Sequence, residues 1–112
     1  MKFSCLRKAN ADRQREWDAG EQLDLSYLGN ALAGEVGEAC NVIKKLERQR
    51  LGLRGSRSDR AELANELADV IIYADLIAQH IGVDLGIAVA RKFNATSTKY
   101  NLLTRISNVP EV

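Results

Sequence analysis

Apolar positions recur at three- and four-residue steps along most of this chain, the spacing that lines one face of an α-helix. From Leu25 the series continues through Leu28, Leu32, Val36, Ala39, Ile43 and Leu46. It predicts a helix from about Leu25 to Arg50, capped by Asp24. A second series, Leu63, Leu67, Val70, Ala74, Ile77 and Ile81, predicts another helix. Asp59 with Glu62 three residues on opens it as a capping box, and Gly82 stops it. Between the two, residues 52–58 hold two glycines, two serines and two arginines and read as a flexible loop. Residues 1–23 are polar, anchored by Phe3, Leu6 and Trp17, and predict one helix ending near Gly20. Asp84 caps a fourth helix from Leu85 to about Tyr100, and the tail at 101–112, with Pro110 near its end, has no period. Four helices with short connections imply an all-α, four-helix bundle-like fold around two central antiparallel helices. The expected organisation is one domain over 1–112, with an N-terminal helix region at 1–23 and a C-terminal tail at 101–112.

Composition narrows the class. At 112 residues, 46% hydrophobic and 28% charged, the chain has the material for a core. Aromatics at 5% and a single proline favour helices over a β-sandwich or barrel. Sixteen basic residues against fifteen acidic give a net charge of +1, which argues against a general nucleic-acid binder. No apolar run approaches the roughly 18 residues that span a bilayer. The expectation is a soluble, cytoplasmic protein with neither a nucleic-acid nor a membrane partner. Cys5 and Cys40 are too few for a disulfide framework, and Cys40 and the lone His80 read as structural.

The acids carry more information. Leu32-Ala33-Gly34-Glu35-Val36-Gly37-Glu38 echoes Leu63-Ala64-Asn65-Glu66-Leu67-Ala68-Asp69 in residue type. With Glu35 at zero on a helical wheel, Leu28 and Leu46 fall near ~20°, Ala39 near ~40° and Val42 near ~340°. Glu35 therefore lies inside the apolar arc, and Glu38, at about 300°, lies on its flank. With Glu66 at zero, Ile77, Val70 and Tyr73 take about 20°, 40° and 340°, and Asp69 about 300°. Each central helix thus carries one acid within its apolar stripe and one at the edge. A buried, unpaired carboxylate costs several kcal/mol, so it must be paired, protonated or bound to a cation. If the stripes pack antiparallel, Glu35, Glu38, Glu66 and Asp69 converge, with no matching run of arginines to neutralise them. A hard divalent ion suits four carboxylates, and Mg²⁺ is the expected cofactor, with Mn²⁺ as a substitute. A di-iron centre would need Glu-x-x-His on two helices, and zinc a Cys/His cluster.

At these residues the sequence resembles the MazG-like, all-α nucleoside triphosphate pyrophosphohydrolases. Their paired motifs, Glu-x-x-Glu and Glu-x-x-Asp, read here Glu35-Val36-Gly37-Glu38 and Glu66-Leu67-Ala68-Asp69. The similarity extends from Arg15-Glu16-Trp17 to Arg91-Lys92-Phe93-Asn94 and so covers most of the chain. It implies Mg²⁺-dependent hydrolysis of nucleoside triphosphates to monophosphate and pyrophosphate, in nucleotide-pool housekeeping. The same resemblance implies that Glu35, Glu38, Glu66 and Asp69 are both the metal ligands and the catalytic residues. Substrate contacts are implied at Lys45 and Tyr73, at Lys92, Asn94 and Lys99 on the fourth helix, and at Trp17 for the base. A homodimer or homotetramer with sites completed across subunits is implied as well. Three departures stand out: Asn65 precedes Glu66 where relatives often carry an acid, Lys99 stands where arginine is common, and the Trp17–Glu35 spacing is longer. The stretch with Arg48, Arg50, Arg54, Arg57 and Arg60 reads as a solvated loop, with steering of triphosphates as the alternative. Two rival functions remain open: a non-catalytic helical interaction module, and an enzyme of the phosphoribosyl-ATP pyrophosphohydrolase kind.

Overall fold

The computed structural model describes residues 1–18 and 23–110, which hold four helices joined by turns. They are α1 (Phe3–Asp18), α2 (Leu25–Arg50), α3 (Arg60–His80) and α4 (Leu85–Lys99). The expected end of the first helix near Gly20 lies outside the described residues. The other three expected helices appear within a residue of their sequence limits. Their starts share one device. Asp24, Asp59 and Asp84 accept hydrogen bonds from the backbone N–H groups of Tyr27 (2.7 Å), Glu62 (2.8 Å) and Ile87 (2.9 Å), each satisfying an orphan donor of the first turn. Their ends share another. Gly52 and Gly82 adopt φ of 71° and 72° just past α2 and α3, and Asn101 takes φ of 56° past α4. The next N–H then returns to a carbonyl five residues back: Leu53 to Arg48 (3.0 Å), Val83 to Ala78 (2.8 Å) and Leu102 to Ser97 (2.8 Å).

The two acid-bearing helices form the centre, since α2 packs on α3 alone, whereas α1 and α4 pack on α3 and on each other. Leu28, Ala39 and Val42 of α2 and Ala78 of α3 are the buried apolar side chains among the described residues. Val36, Ile43, Leu67 and Ile71 remain exposed, and all four lie about 80–140° around their helices from Glu35 or Glu66. The apolar arc of each helix is wider than one partner covers. The chain turns through 103° between α3 and α4, so the bundle stays open within one chain. Its radius of gyration is 17.3 Å, against about 13 Å for a compact domain of this length. Its accessible surface is 8406 Å², where a compact monomer of this mass exposes about 6,100 Å².

A polar staple fixes α1 on α3. Asp75 and Asn10 are 1% and 2% exposed. Asp75 accepts from Arg7 Nε at 3.1 Å and from Asn10 Nδ2 at 3.0 Å, and Asn10 Nδ2 also donates to the Ile72 carbonyl at 3.2 Å. Near the N-termini of α1 and α4, Gly86 lets the helices approach closely: a Cβ there would sit 3.2 Å from Phe3 Cβ. The tail folds back on α4, where Asn94 donates to the Ile106 carbonyl (2.9 Å) and accepts from the Ile106 N–H (2.7 Å). Arg91 donates twice to the Pro110 carbonyl, at 3.1 and 2.9 Å. None of the four helices is by itself long and apolar enough to cross a membrane.

Candidate metal centre and adjoining pocket

The antiparallel α2–α3 pair brings its acidic motifs face to face at mid-length. Glu35, Glu38 and Glu66 each offer a carboxylate oxygen, and the three oxygens lie within 4.8 Å of one another. Glu35 and Glu66 are half-buried and Glu38 is exposed. The two in-stripe acids each bury one oxygen, Glu35 Oε2 and Glu66 Oε2, without a hydrogen-bond partner. An orphaned buried carboxylate oxygen carries a desolvation penalty that native structures rarely leave uncompensated. Burial pushes the Glu35 carboxyl above its ordinary range, reinforced by the charges of Glu38 and Asp69. Burial also raises Glu66, followed by a carboxyl–carboxyl contact with Glu38 and then by the surrounding negative charge. Asp69 stands outside the close trio, but its charge reaches both Glu35 and Glu66. This donor set, all oxygen, acidic and unpaired, fits a hard divalent cation.

Next to the trio a pocket of about 400 Å³ opens between α1, α3 and the first half of α2. Glu35 and Asp69 line it together with Tyr27, Tyr73 and Trp17, and its other walls are Asn10, Arg13, Gln14, Leu23, Ile72 and Leu76. That volume falls in the range of small-molecule sites. Trp17 is 78% exposed, so it is a wall of the pocket and not a core anchor. The Arg13 guanidinium carbon lies 5.8 Å from the centroid of the Trp17 ring. Burial raises the Tyr73 hydroxyl, and the charges of Tyr27, Glu35 and Asp69 act in the same sense.

Two of the six expected substrate contacts, Trp17 and Tyr73, therefore share a pocket with two of the acids. The other four sit elsewhere. Lys45, half-buried on α2, does not line the pocket. Lys92 borders a separate open groove on α4 with Val89, Phe93 and Leu102. Asn94 has both ends of its amide engaged with Ile106, and the Lys99 ammonium lies 5.4 Å from the Tyr100 ring. α4 leaves α3 eleven residues beyond Asp69, about 17 Å along the axis, and turns away. A single chain thus keeps its fourth-helix polar residues apart from its acids. Among pocket residues that the sequence did not single out, Ile72 and Leu76 had a readable signal: they fall about 240° and 280° from Glu66, on the same flank as Asp69. Arg13, Gln14 and Tyr27 had none, because their role depends on how α1 docks.

Among the described residues, which are helical apart from turns and loops, a trio of carboxylates lies beside an aromatic-lined pocket, a donor set that would suit a hard cation next to an organic ligand. Comparison with known sequences makes the assignment specific. Residues 24–105 match the MazG nucleotide pyrophosphohydrolase domain, and the chain belongs to that family. It is 34% identical over 98 residues to the human (Homo sapiens) dCTP pyrophosphatase 1, covering 85% of this chain and 56% of the relative. The Bos taurus dCTP pyrophosphatase 1 is 32% identical over 98 residues, covering 85% and 57%. The Gene 37 protein of Mycobacterium phage L5 is 33% identical over 75 residues, 67% of this chain and 65% of that one. The chain thus spans a little over half the length of the two dCTP pyrophosphatases.

Proposed function

We propose that this protein is a divalent-cation-dependent pyrophosphohydrolase that cleaves nucleoside triphosphates to monophosphate and pyrophosphate and so serves nucleotide-pool housekeeping. One observation carries the reading: Glu35 and Glu66 each bury an oxygen without a partner, their carboxylates cluster with that of Glu38, and Glu35 also lines a pocket sized for a nucleoside. Glu35, Glu38 and Glu66 would hold the cation, with Asp69 completing the set from the pocket side. When bound, Mg²⁺ draws charge from phosphate oxygens and lowers the pKa of water beside it. The chain's own task is positioning, which is most of what phosphoryl transfer asks of a protein. Tyr73 and Trp17 flank the nucleoside, and the acids, through the cation they would hold, would set the α-phosphate next to the attacking water. Water attacks the α-phosphorus and yields its proton to one of the four carboxylates, the bond from the α-phosphorus to the bridging oxygen breaks, and pyrophosphate leaves with that oxygen. The relatives' names make dCTP the first substrate to test.

We also propose that the working unit is a homodimer or homotetramer. The surplus of exposed surface, about 2,300 Å² over a compact monomer, is of the order buried by obligate interfaces. The bare flank of Val36, Ile43, Leu67 and Ile71 supplies the apolar part. A second copy would also supply the α4 lysines, Lys92 and Lys99, that one chain keeps away from its own acids.

The test is a panel of ribo- and deoxynucleoside triphosphates with Mg²⁺, scored separately for pyrophosphate and orthophosphate. Pyrophosphate release that Glu38→Ala abolishes, together with Mg²⁺-dependent thermal stabilisation lost in the same variant, supports the proposal. Orthophosphate as first product refutes α-phosphate cleavage. The absence of any metal response would favour the non-catalytic helical module.

A further inference from the structure

Within the pocket the groups differ in what they have left to offer a ligand. The Asn10 amide N–H₂ is spent on Asp75 and the Ile72 carbonyl. Tyr27 and Tyr73 carry hydroxyls, which donate or accept and so discriminate little. Glu35 and Asp69 belong to the acidic centre. Arg13 is different: it lines the same pocket, stacks 5.8 Å from the centroid of Trp17, and has no carboxylate partner among the described residues. A guanidinium is a donor only, planar and two-pronged, and stacking on an aromatic ring restricts it to few orientations.

We infer that Arg13 is a specificity-determining residue that reads the base, donating two parallel N–H bonds to an edge with two adjacent acceptors. Cytosine offers O2 beside N3, and guanine offers O6 beside N7. Adenine pairs each such acceptor with its N6 donor, and thymine separates O2 from O4 by the N3–H donor. The pocket therefore favours cytosine and guanine nucleotides over adenine and thymine nucleotides. A well-formed bidentate contact of this kind discriminates by about tenfold or more. The inference rests on the nucleotide reading of the pocket but not on catalysis in it.

Two measurements on the 112-residue chain separate the claims. Quenching of Trp17, the sole tryptophan, is titrated with dCMP, dGMP, dAMP and TMP in EDTA, and turnover of the four deoxynucleoside triphosphates is measured with Mg²⁺. Wild type should prefer cytosine and guanine by about tenfold in both assays. Arg13→Ala should bring the four within about threefold, mainly through KM, and Arg13→Lys, which keeps charge but not the fork, should fall between. A wild type without preference, an Arg13→Ala preference unchanged, or an equal loss on all four nucleotides overturns the inference; the last would mark a phosphate contact. Arg13-dependent binding without turnover would support the base contact and sink the hydrolase reading. Turnover with an Arg13-independent preference would do the reverse, and neither binding nor turnover would sink both.

Discussion

Replacing Asp75 by alanine removes the group on which α1 is fastened. Two hydrogen bonds disappear, from Arg7 Nε at 3.1 Å and Asn10 Nδ2 at 3.0 Å. Arg7 keeps 30% of its side chain exposed and can rehydrate, whereas Asn10, 2% exposed, retains only the Ile72 carbonyl as acceptor for its amide. Breaking a buried charged pair from one side costs about 3–5 kcal/mol. The partial exposure of Arg7 sets the expectation at the low end, about 3 kcal/mol, or a fall of about 12 °C in Tm for a domain of this size. Urea unfolding followed by helical circular dichroism, at one fixed protein concentration because an oligomer's stability depends on it, gives the number. The variant should also bind nucleotide more weakly, since Arg13 and Trp17 ride on α1. A double-mutant cycle with Asn10→Ala should show coupling of about 1–2 kcal/mol. A loss below about 1 kcal/mol with no coupling would show that the staple does not secure α1.

Glu35 and Glu66 hold protons in the folded state that the unfolded chain releases from its ordinary value of 4.5 upward. Metal-free stability should therefore fall as pH rises from that value through the raised folded values. Melts in EDTA across this range check the sign, with Glu35→Gln and Glu66→Gln flattening the profile; a stability that rises there contradicts it. Gly55 has φ of 143°, and a Cβ on it would meet the Arg48 side chain. Gly55→Ala should cost about 1–3 kcal/mol in urea unfolding. Ile71→Glu places a charge on the bare flank and should lower the oligomer mass measured by light scattering; an unchanged mass would remove that flank from the interface.

Much of this architecture was legible in the sequence because its signals are local. Asp24, Asp59 and Asp84 cap where they were expected to, since a side-chain oxygen bonding an N–H three residues on needs no tertiary context. The placement of Glu35 and Glu66 within apolar stripes was equally readable, because a wheel depends only on the helical repeat. What spacing cannot say is how many partners a stripe meets. Val36 and Leu67 continue the three- and four-residue series as well as Leu28 does, yet Leu28 is buried and they are exposed. Asp75 shows the converse: it sits about 180° from Glu66, where a solvated face is expected, and α1 packs there. α1 concealed that docking because it is fastened by Arg7 and Asn10, polar residues with no hydrophobic signature.

The open fold and the acidic centre have a common cause. A helix pair that places Glu35 and Glu66 in its seam gives up part of the contact that would otherwise hold it closed, and adds repulsion in its place. Extra apolar residues on the same face could not offset that without burying the acids completely and losing the pocket. Support has to come from elsewhere: the Arg7–Asp75–Asn10 staple on one side and, on the function proposed above, another copy on the bare apolar flank and a cation between the carboxylates. If these three supports act on one cooperative unit, they are not independent. Loss of the staple should then be felt most where cation and partner are both scarce, in dilute metal-free protein. Mg²⁺ added to Asp75→Ala should in turn recover more stability than the same ion adds to the intact chain only if α1 docking and ion binding draw on the same local opening of α3. Equal recovery in both proteins would make the staple and the acidic centre separate devices that happen to share a helix.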